Sequence, residues 1–214
     1  MGKTTQKSKV NRRDPECRLK AEERFGSRFF ARYYHHRLTR VVTSKDYLLR
    51  AQLIAAQAVL LRLPVRRILD VGAGAGGFAR AFREVLPRAK FTGIDVSRYA
   101  CTRHGWTYAS ITEYAGGRPF DLVLCHDVFQ YLTRDEALTG FGNLAALTHG
   151  ILFFTALTLE DWNEACDQSR TDGEVNLRAV AWYRRQLLSA FQQIGPGIYL
   201  SRGTRPLFAL DTPQ

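Results

Sequence analysis

The chain has 214 residues, 45% of them hydrophobic and 24% charged, which suits one substantial core rather than two folded domains. Its formal net charge of +11 is uneven: residues 1–50 hold 14 basic and 5 acidic side chains, so nine of the eleven net positive charges lie there. The first residues lack a secretory apolar run, no stretch reaches the ~20 apolar residues of a spanning helix, and Cys17, Cys101, Cys125 and Cys166 form neither a C-x-x-C pair nor a dense framework. A cytoplasmic protein without a membrane span, structural zinc or disulfides is expected.

Residues 1–14 mix Lys, Thr, Ser and Gln without apolar periodicity and read as a disordered basic tail. Such an arm can meet nucleic acid, an anionic membrane surface or an acidic substrate, but a solvated tail is the favoured reading. Residues 15–65 read as a helical extension or lid. Phe25, Phe29, Phe30, Tyr33 and Tyr34 suit a helix that closes over a ligand, with His35 and His36 beside them. In 44–62, Ser44 offers an N-cap, and Leu48, Ala51, Leu53, Ala55, Ala58, Val59 and Leu61 supply a helix-period face before Pro64.

Residues 66–214 form the remaining domain. Strands are expected at 67–71, 90–95, 106–109, 120–125 and 150–156, and helices at 77–86, 97–103, 134–147 and 177–192. That alternation predicts a doubly wound α/β fold with a mostly parallel sheet. Ile198–Ser201, Arg202-Gly203 and Pro206–Leu210 read as a closing hairpin.

The most informative run is Ile68-Leu-Asp-Val-Gly-Ala-Gly-Ala-Gly-Gly77, a strand entering a glycine-rich turn that opens a helix. Side chains at Gly72, Gly74 and Gly76 would block a ligand from the backbone, and the helix start offers free N–H groups and a positive dipole end. Gly72-x-Gly74-x-x-Gly77 fits the dinucleotide fingerprint, and Asp70-x-Gly72-x-Gly74-x-Gly76 fits the first motif of class I methyltransferases. Asp95, ending the second strand, is placed to bind ribose hydroxyls under either.

The segment Phe120-Asp-Leu-Val-Leu-Cys-His-Asp-Val-Phe-Gln-Tyr-Leu132 decides between them. It resembles the fourth-strand motif of small-molecule, S-adenosylmethionine-dependent class I methyltransferases, and the resemblance runs in order over residues 66–157. It implies a seven-stranded Rossmann-like sheet with a C-terminal antiparallel hairpin and S-adenosyl-L-methionine as cofactor. Asp70, Gly72, Ala73, Gly74 and Gly76 would hold the methionine part, Asp95 and Val96 the ribose, and Ser110, Ile111 and Cys125 would complete the pocket. Ala109-Ser110-Ile111-Thr112 departs from the family, which often places an acid there for the adenine amino group.

Methyl transfer is an in-line displacement that rests on positioning, with a base where the nucleophile carries a proton. His126 is the first base candidate and Asp127 and Tyr131 follow, while a structural role for His126 is equally compatible with the sequence. The polar segment after the fifth strand, with Trp162, Asp167, Arg170 and Asp172, suits an acceptor pocket, and Trp182 a further wall. The leading reading is methyl transfer to an oxygen, nitrogen or carbon of a small molecule. An RNA-directed methyltransferase or a non-catalytic nucleic-acid-binding adaptor is the alternative, and an NAD(P)-dependent reductase the second, weakened by the lack of a Tyr-x-x-x-Lys pair. No metal is expected, and the sequence does not indicate an oligomeric state.

Overall fold

The computed structural model describes residues 24–36, 40 and 42–205. The basic tail and the strand expected at 206–210 lie outside the described residues. The elements are helix α1 (Ser27–Phe30), continued by a π-turn over Ala31–His35, then α2 (Ser44–Leu60), β1 (Arg67–Val71), α3 (Gly77–Val85), β2 (Lys90–Asp95), α4 (Arg98–His104) and β3 (Thr107–Tyr108). They continue with β4 (Phe120–His126), a 3₁₀ turn (Phe129–Tyr131), α5 (Arg134–Leu147), β5 (Thr148–Thr155), α6 (Leu159–Glu164), α7 (Val180–Ala190), β6 (Phe191–Gly195) and β7 (Ile198–Ser201).

One seven-stranded sheet runs in the order β3-β2-β1-β4-β5-β7-β6. The first five pair in parallel, and β7 enters antiparallel to both β5 and β6. The mostly parallel sheet with an antiparallel hairpin is therefore as expected, but the hairpin comes earlier than the sequence suggested. Its first strand is Phe191–Gly195, which begins with Phe191 and Gln192, two residues expected to finish a helix. Pro196 and Gly197 sit at the centre of the turn, where proline fixes the first φ and Gly197 takes a φ of +66° that a side chain would resist. Arg202-Gly203 therefore follows the hairpin instead of forming its turn.

Successive residues of the central strands feed opposite layers, as a parallel sheet covered on both faces requires. Leu122, Leu124, Ile151 and Phe153 pack with Ile54 of α2 and with Phe78 and Phe82 of α3. Val123, Cys125, Leu152 and Phe154 pack with Phe141 and Leu144 of α5 and with Tyr183 and Leu187 of α7. Reciprocal caps start the helices: Thr43 with Asp46 begins α2, Thr133 with Glu136 begins α5, and Thr158 with Asp161 begins α6. The α2 cap is thus Thr43 and not Ser44, because a carboxylate lies three residues after Thr43 and accepts its backbone N–H at 2.7 Å. Among the described residues, no helix is long and apolar enough to cross a membrane.

The layers converge beneath the C-terminal ends of β1, β2 and β4. Phe129, fully buried just beyond β4, lies 4.5 Å from the ring centre of Phe141 and 5.0 Å from that of Phe154, and so anchors the turn that follows the strand. Phe129→Ala should destabilise the protein by about 3–5 kcal/mol. Urea unfolding monitored by circular dichroism checks this, and a loss below about 1 kcal/mol would remove Phe129 from its anchoring role.

Candidate active site

The turn after β1 is shaped first by its neighbours in the protein. Gly72 takes a φ of +70°, and a Cβ there would stand 2.5 Å from a methyl of Val128; a Cβ on Gly77 would stand 2.4 Å from the Tyr47 ring. Both distances are impossible for real side chains, so these glycines are required before any ligand is considered. Trp106 supports the turn from outside, donating from its indole nitrogen to the Gly74 carbonyl at 3.0 Å and lying against Gly76. At Gly74 a Cβ would meet the Tyr34 hydroxyl at 3.4 Å, which is ordinary contact.

Asp95 is the hinge of the arrangement. Its carboxylate accepts the Gly74 N–H at 2.8 Å through one oxygen and the Ser97 N–H at 2.8 Å through the other. The Ser97 hydroxyl caps α4 through the Ala100 N–H and donates to the Phe25 carbonyl at 2.6 Å, which ties the N-terminal segment to the same spot.

Two cavities meet here. The first, about 150 Å³, takes Gly72, Gly74, Asp95, Val96, Ser110, Ile111 and Leu132 as its floor and Phe25, Phe29, Phe30 and Tyr34 as its roof. The second is larger, about 560 Å³, and is lined by Tyr33, Tyr47, Arg50, Gln130, Thr155, Asp167, Arg170 and Asp172 among others. Phe29, Tyr34, His126, Asp127 and Tyr131 line both and form the wall between them. Asp70 and Ala73 line a small recess below this wall, with Tyr34, Tyr47 and His126.

Among the residues singled out in the sequence, Gly72, Gly74, Asp95, Val96, Ser110 and Ile111 thus share one cavity, and Asp167 and Arg170 the other. Gly76 packs against Trp106 instead of lining either cavity. Cys125 points into the core, where burial pushes its thiol well above the ordinary range. Trp162 lies against Gly173, and Trp182 packs on Phe141 and Tyr183 with Arg178 over its ring. These two tryptophans line neither main cavity, because their apolar rings find partners in the protein. The Ser110 hydroxyl caps its own turn, accepting from the Thr112 N–H and hydroxyl.

Sequence reading missed Arg50 and Gln130. Arg50 belongs to a helix that reads simply as amphipathic, and Gln130 to a turn whose apolar neighbours suggest packing. Only the tertiary fold turns them toward a common space.

Residues 69–149 match the family model described as a methyltransferase domain. A comparison with curated protein sequences finds no match. Among solved structures, the domain is similar to the plantazolicin methyltransferase BpumL, with 14% identity, a TM-score of 0.58 and coverage of 81% of this chain and 77% of that one. It is similar also to the magnesium protoporphyrin IX methyltransferase ChlM from Synechocystis PCC 6803, at 17% identity and a TM-score of 0.58, covering 89% and 96%. The reductase alternative gives way to this match and to the antiparallel seventh strand.

The electrostatics of the site concentrate on the shared wall. Burial lowers the His126 pKa, and its neighbour Asp127, with Oδ2 3.4 Å from Nδ1, opposes that shift less strongly. Asp127 has a φ of +56°, a left-handed conformation that Asp tolerates better than most residues, and it is fixed by the Thr155 hydroxyl at 3.1 Å. Burial, reinforced by Asp172, raises the Tyr131 phenol. Burial also raises Asp70 well above the carboxylate range, with the charge of Asp95 adding to it.

His126 therefore titrates below the ordinary 6.5 and is a neutral imidazole at pH 7. An unfolded chain binds this proton more readily, so the stability linked to His126 is fully present above pH 6.5 and declines as pH falls from there toward the folded pKa. An NMR titration of the His126 ring should give a midpoint below 6.5; a midpoint above it would contradict the burial argument.

Proposed function

We propose that the protein transfers a methyl group from S-adenosyl-L-methionine to an oxygen, nitrogen or carbon of a small-molecule acceptor. The observation that carries this reading is the pair of buried carboxyls at the glycine turn, Asp70 at 2% exposure and Asp95 at 7%. Burial holds the Asp70 carboxyl toward its neutral form, and an amino-acid ammonium or a sulfonium beside it would favour the ionised form and be held by it; a dinucleotide would instead set its diphosphate there. Asp95 would exchange its Gly74 and Ser97 N–H partners, in part, for ribose hydroxyls. Ile111 and Leu132 offer apolar faces to the purine, and Ser110 a hydroxyl.

When bound, the cofactor would supply an electrophilic methyl group: an electron pair of the acceptor atom forms the new bond while the carbon–sulfur pair returns to sulfur. The chain's own residues position the partners across the wall between the two cavities. His126, uncharged at neutral pH, takes the acceptor's proton where there is one, with Asp127 beside its Nδ1 to stabilise the imidazolium. Tyr131, held between Arg24 and Phe25, completes the wall.

The acceptor space is closed by the N-terminal segment. Arg24 binds Asp172 at 3.0 Å and the Glu174 carbonyl, joining residues before α1 to the loop after α6. This clasp makes residues 24–36 a lid that shields the reaction from water. BpumL is by name a plantazolicin methyltransferase and ChlM a magnesium protoporphyrin IX methyltransferase, which agrees with a small acceptor here.

Calorimetric titration should find binding of S-adenosylhomocysteine and none of NAD⁺ or NADP⁺; nicotinamide binding alone would return the reductase reading. Asp95→Ala should abolish homocysteine-compound binding, and an unchanged affinity would remove Asp95 from the ribose. His126→Ala should lower kcat about 10²-fold or more with cofactor affinity unaltered, as expected for loss of a general base. A normal kcat would leave His126 a packing residue.

A further inference from the structure

The second cavity holds three polar groups that folding leaves unsatisfied. Arg50 Nη1, Arg170 Nε and Gln130 Oε1 are shielded from solvent and have no hydrogen-bond partner among the described residues. All three residues line this cavity. Buried polar groups are almost always paired, and a buried charged donor without an acceptor is the most expensive exception. Here the three exceptions gather in one space although they come from α2, the turn after β4 and the loop after α6. No local irregularity produces such a coincidence.

The acidic side chains around the cavity do not use these groups. Asp161 accepts the Thr158 hydroxyl at 2.6 Å in the α6 cap. Asp167 accepts the Ser169 hydroxyl at 2.6 Å, Asp172 is paired with Arg24, and Asp127 is held by Thr155. Arg170 spends one nitrogen on the Arg40 carbonyl and keeps Nε free. What remains is donor capacity on two guanidinium groups beside one amide, and that combination suits an anion with a neutral polar group attached.

We propose, resting on the methyl-transfer reading above, that the acceptor carries an oxyanion, a carboxylate or a phosphate, held by Arg50 and Arg170. A hydroxyl or amine on the same molecule meets Gln130, which is only 4% exposed. The rings of Tyr33, Tyr34 and Tyr47 give this acceptor flat walls, so an aromatic acid fits the space. The cavity's border with His126 brings such a molecule to the methyl-transfer wall, and the arginines fix its orientation there.

The test uses the full chain saturated with S-adenosylhomocysteine, titrated calorimetrically with salicylate, 4-hydroxybenzoate, their primary amides and phenyl phosphate. At least one oxyanion should bind, and its neutral amide about ten-fold or more weaker. Arg50→Gln and Arg170→Gln should each weaken oxyanion binding about ten-fold while cofactor-product affinity stays at the wild-type value; Arg50→Lys and Arg170→Lys should recover part of the loss. Preference for the benzoates over phenyl phosphate assigns a carboxylate, and the reverse a phosphate. Amides binding as well as acids, variants binding oxyanions like the wild type, or no oxyanion binding at millimolar concentration would each overturn the proposal. The same titrations with the protein alone separate the two claims. Oxyanion binding that depends on both arginines, without any binding of S-adenosylhomocysteine, keeps the anion site and discards methyl transfer.

Discussion

The buried carboxylate of Asp95 holds the site together. It joins the turn after β1 to the start of α4 by accepting one N–H from each, and through Ser97 it also fixes the backbone at Phe25. Burial alone would push this carboxyl toward its neutral form, and the backbone N–H donors from Ser97, Gly74 and Val96 oppose that shift. The charge is thus stabilised by the groups that a ribose would compete with. A site built this way is organised without ligand and need only trade hydrogen bonds to receive one, which limits the ordering cost of binding.

Around that hinge the fold separates two tasks. The parallel half of the sheet delivers the glycine turn, Asp95 and the turn after β4 to one edge, where a cofactor is favoured. The loops beyond β5 and the helices before β1 build the larger cavity on the other side of the His126–Asp127 wall. The N-terminal aromatic residues roof both spaces, so cofactor and acceptor would be covered by one segment. Asp127 in its left-handed conformation is the strained point between them, and such strain is retained where the surrounding structure over-determines it.

Much of this was legible in the chain because its signals were local and periodic. The β1 run, the glycine turn, Asp95 at the end of β2 and the apolar β4 strand all read correctly, since each depends on neighbours within a few residues. The hairpin did not, because Phe191-Gln192 reads as the end of a helix until Pro196-Gly197 is recognised as the turn. The role of the glycines was only half visible: Val128 and Tyr47, distant in sequence, are what exclude side chains at Gly72 and Gly77. Arg50, Gln130 and Trp106 gave no sequence signal, since their significance lies in what they face. Trp162 and Trp182 face neither main cavity for the complementary reason, since one ring lies against Gly173 of its own loop and the other packs on Phe141 and Tyr183.

The central claim is that a nucleoside on Asp95 presents its reactive end at the wall shared by two cavities. A crystal structure of the protein with S-adenosylhomocysteine tests it most directly. The ribose hydroxyls should hydrogen-bond to Asp95, and the sulfur should lie beside His126 and Asp127, facing the cavity of Arg50 and Arg170. A nucleoside seated away from Asp95, or a sulfur turned from that wall, would contradict it.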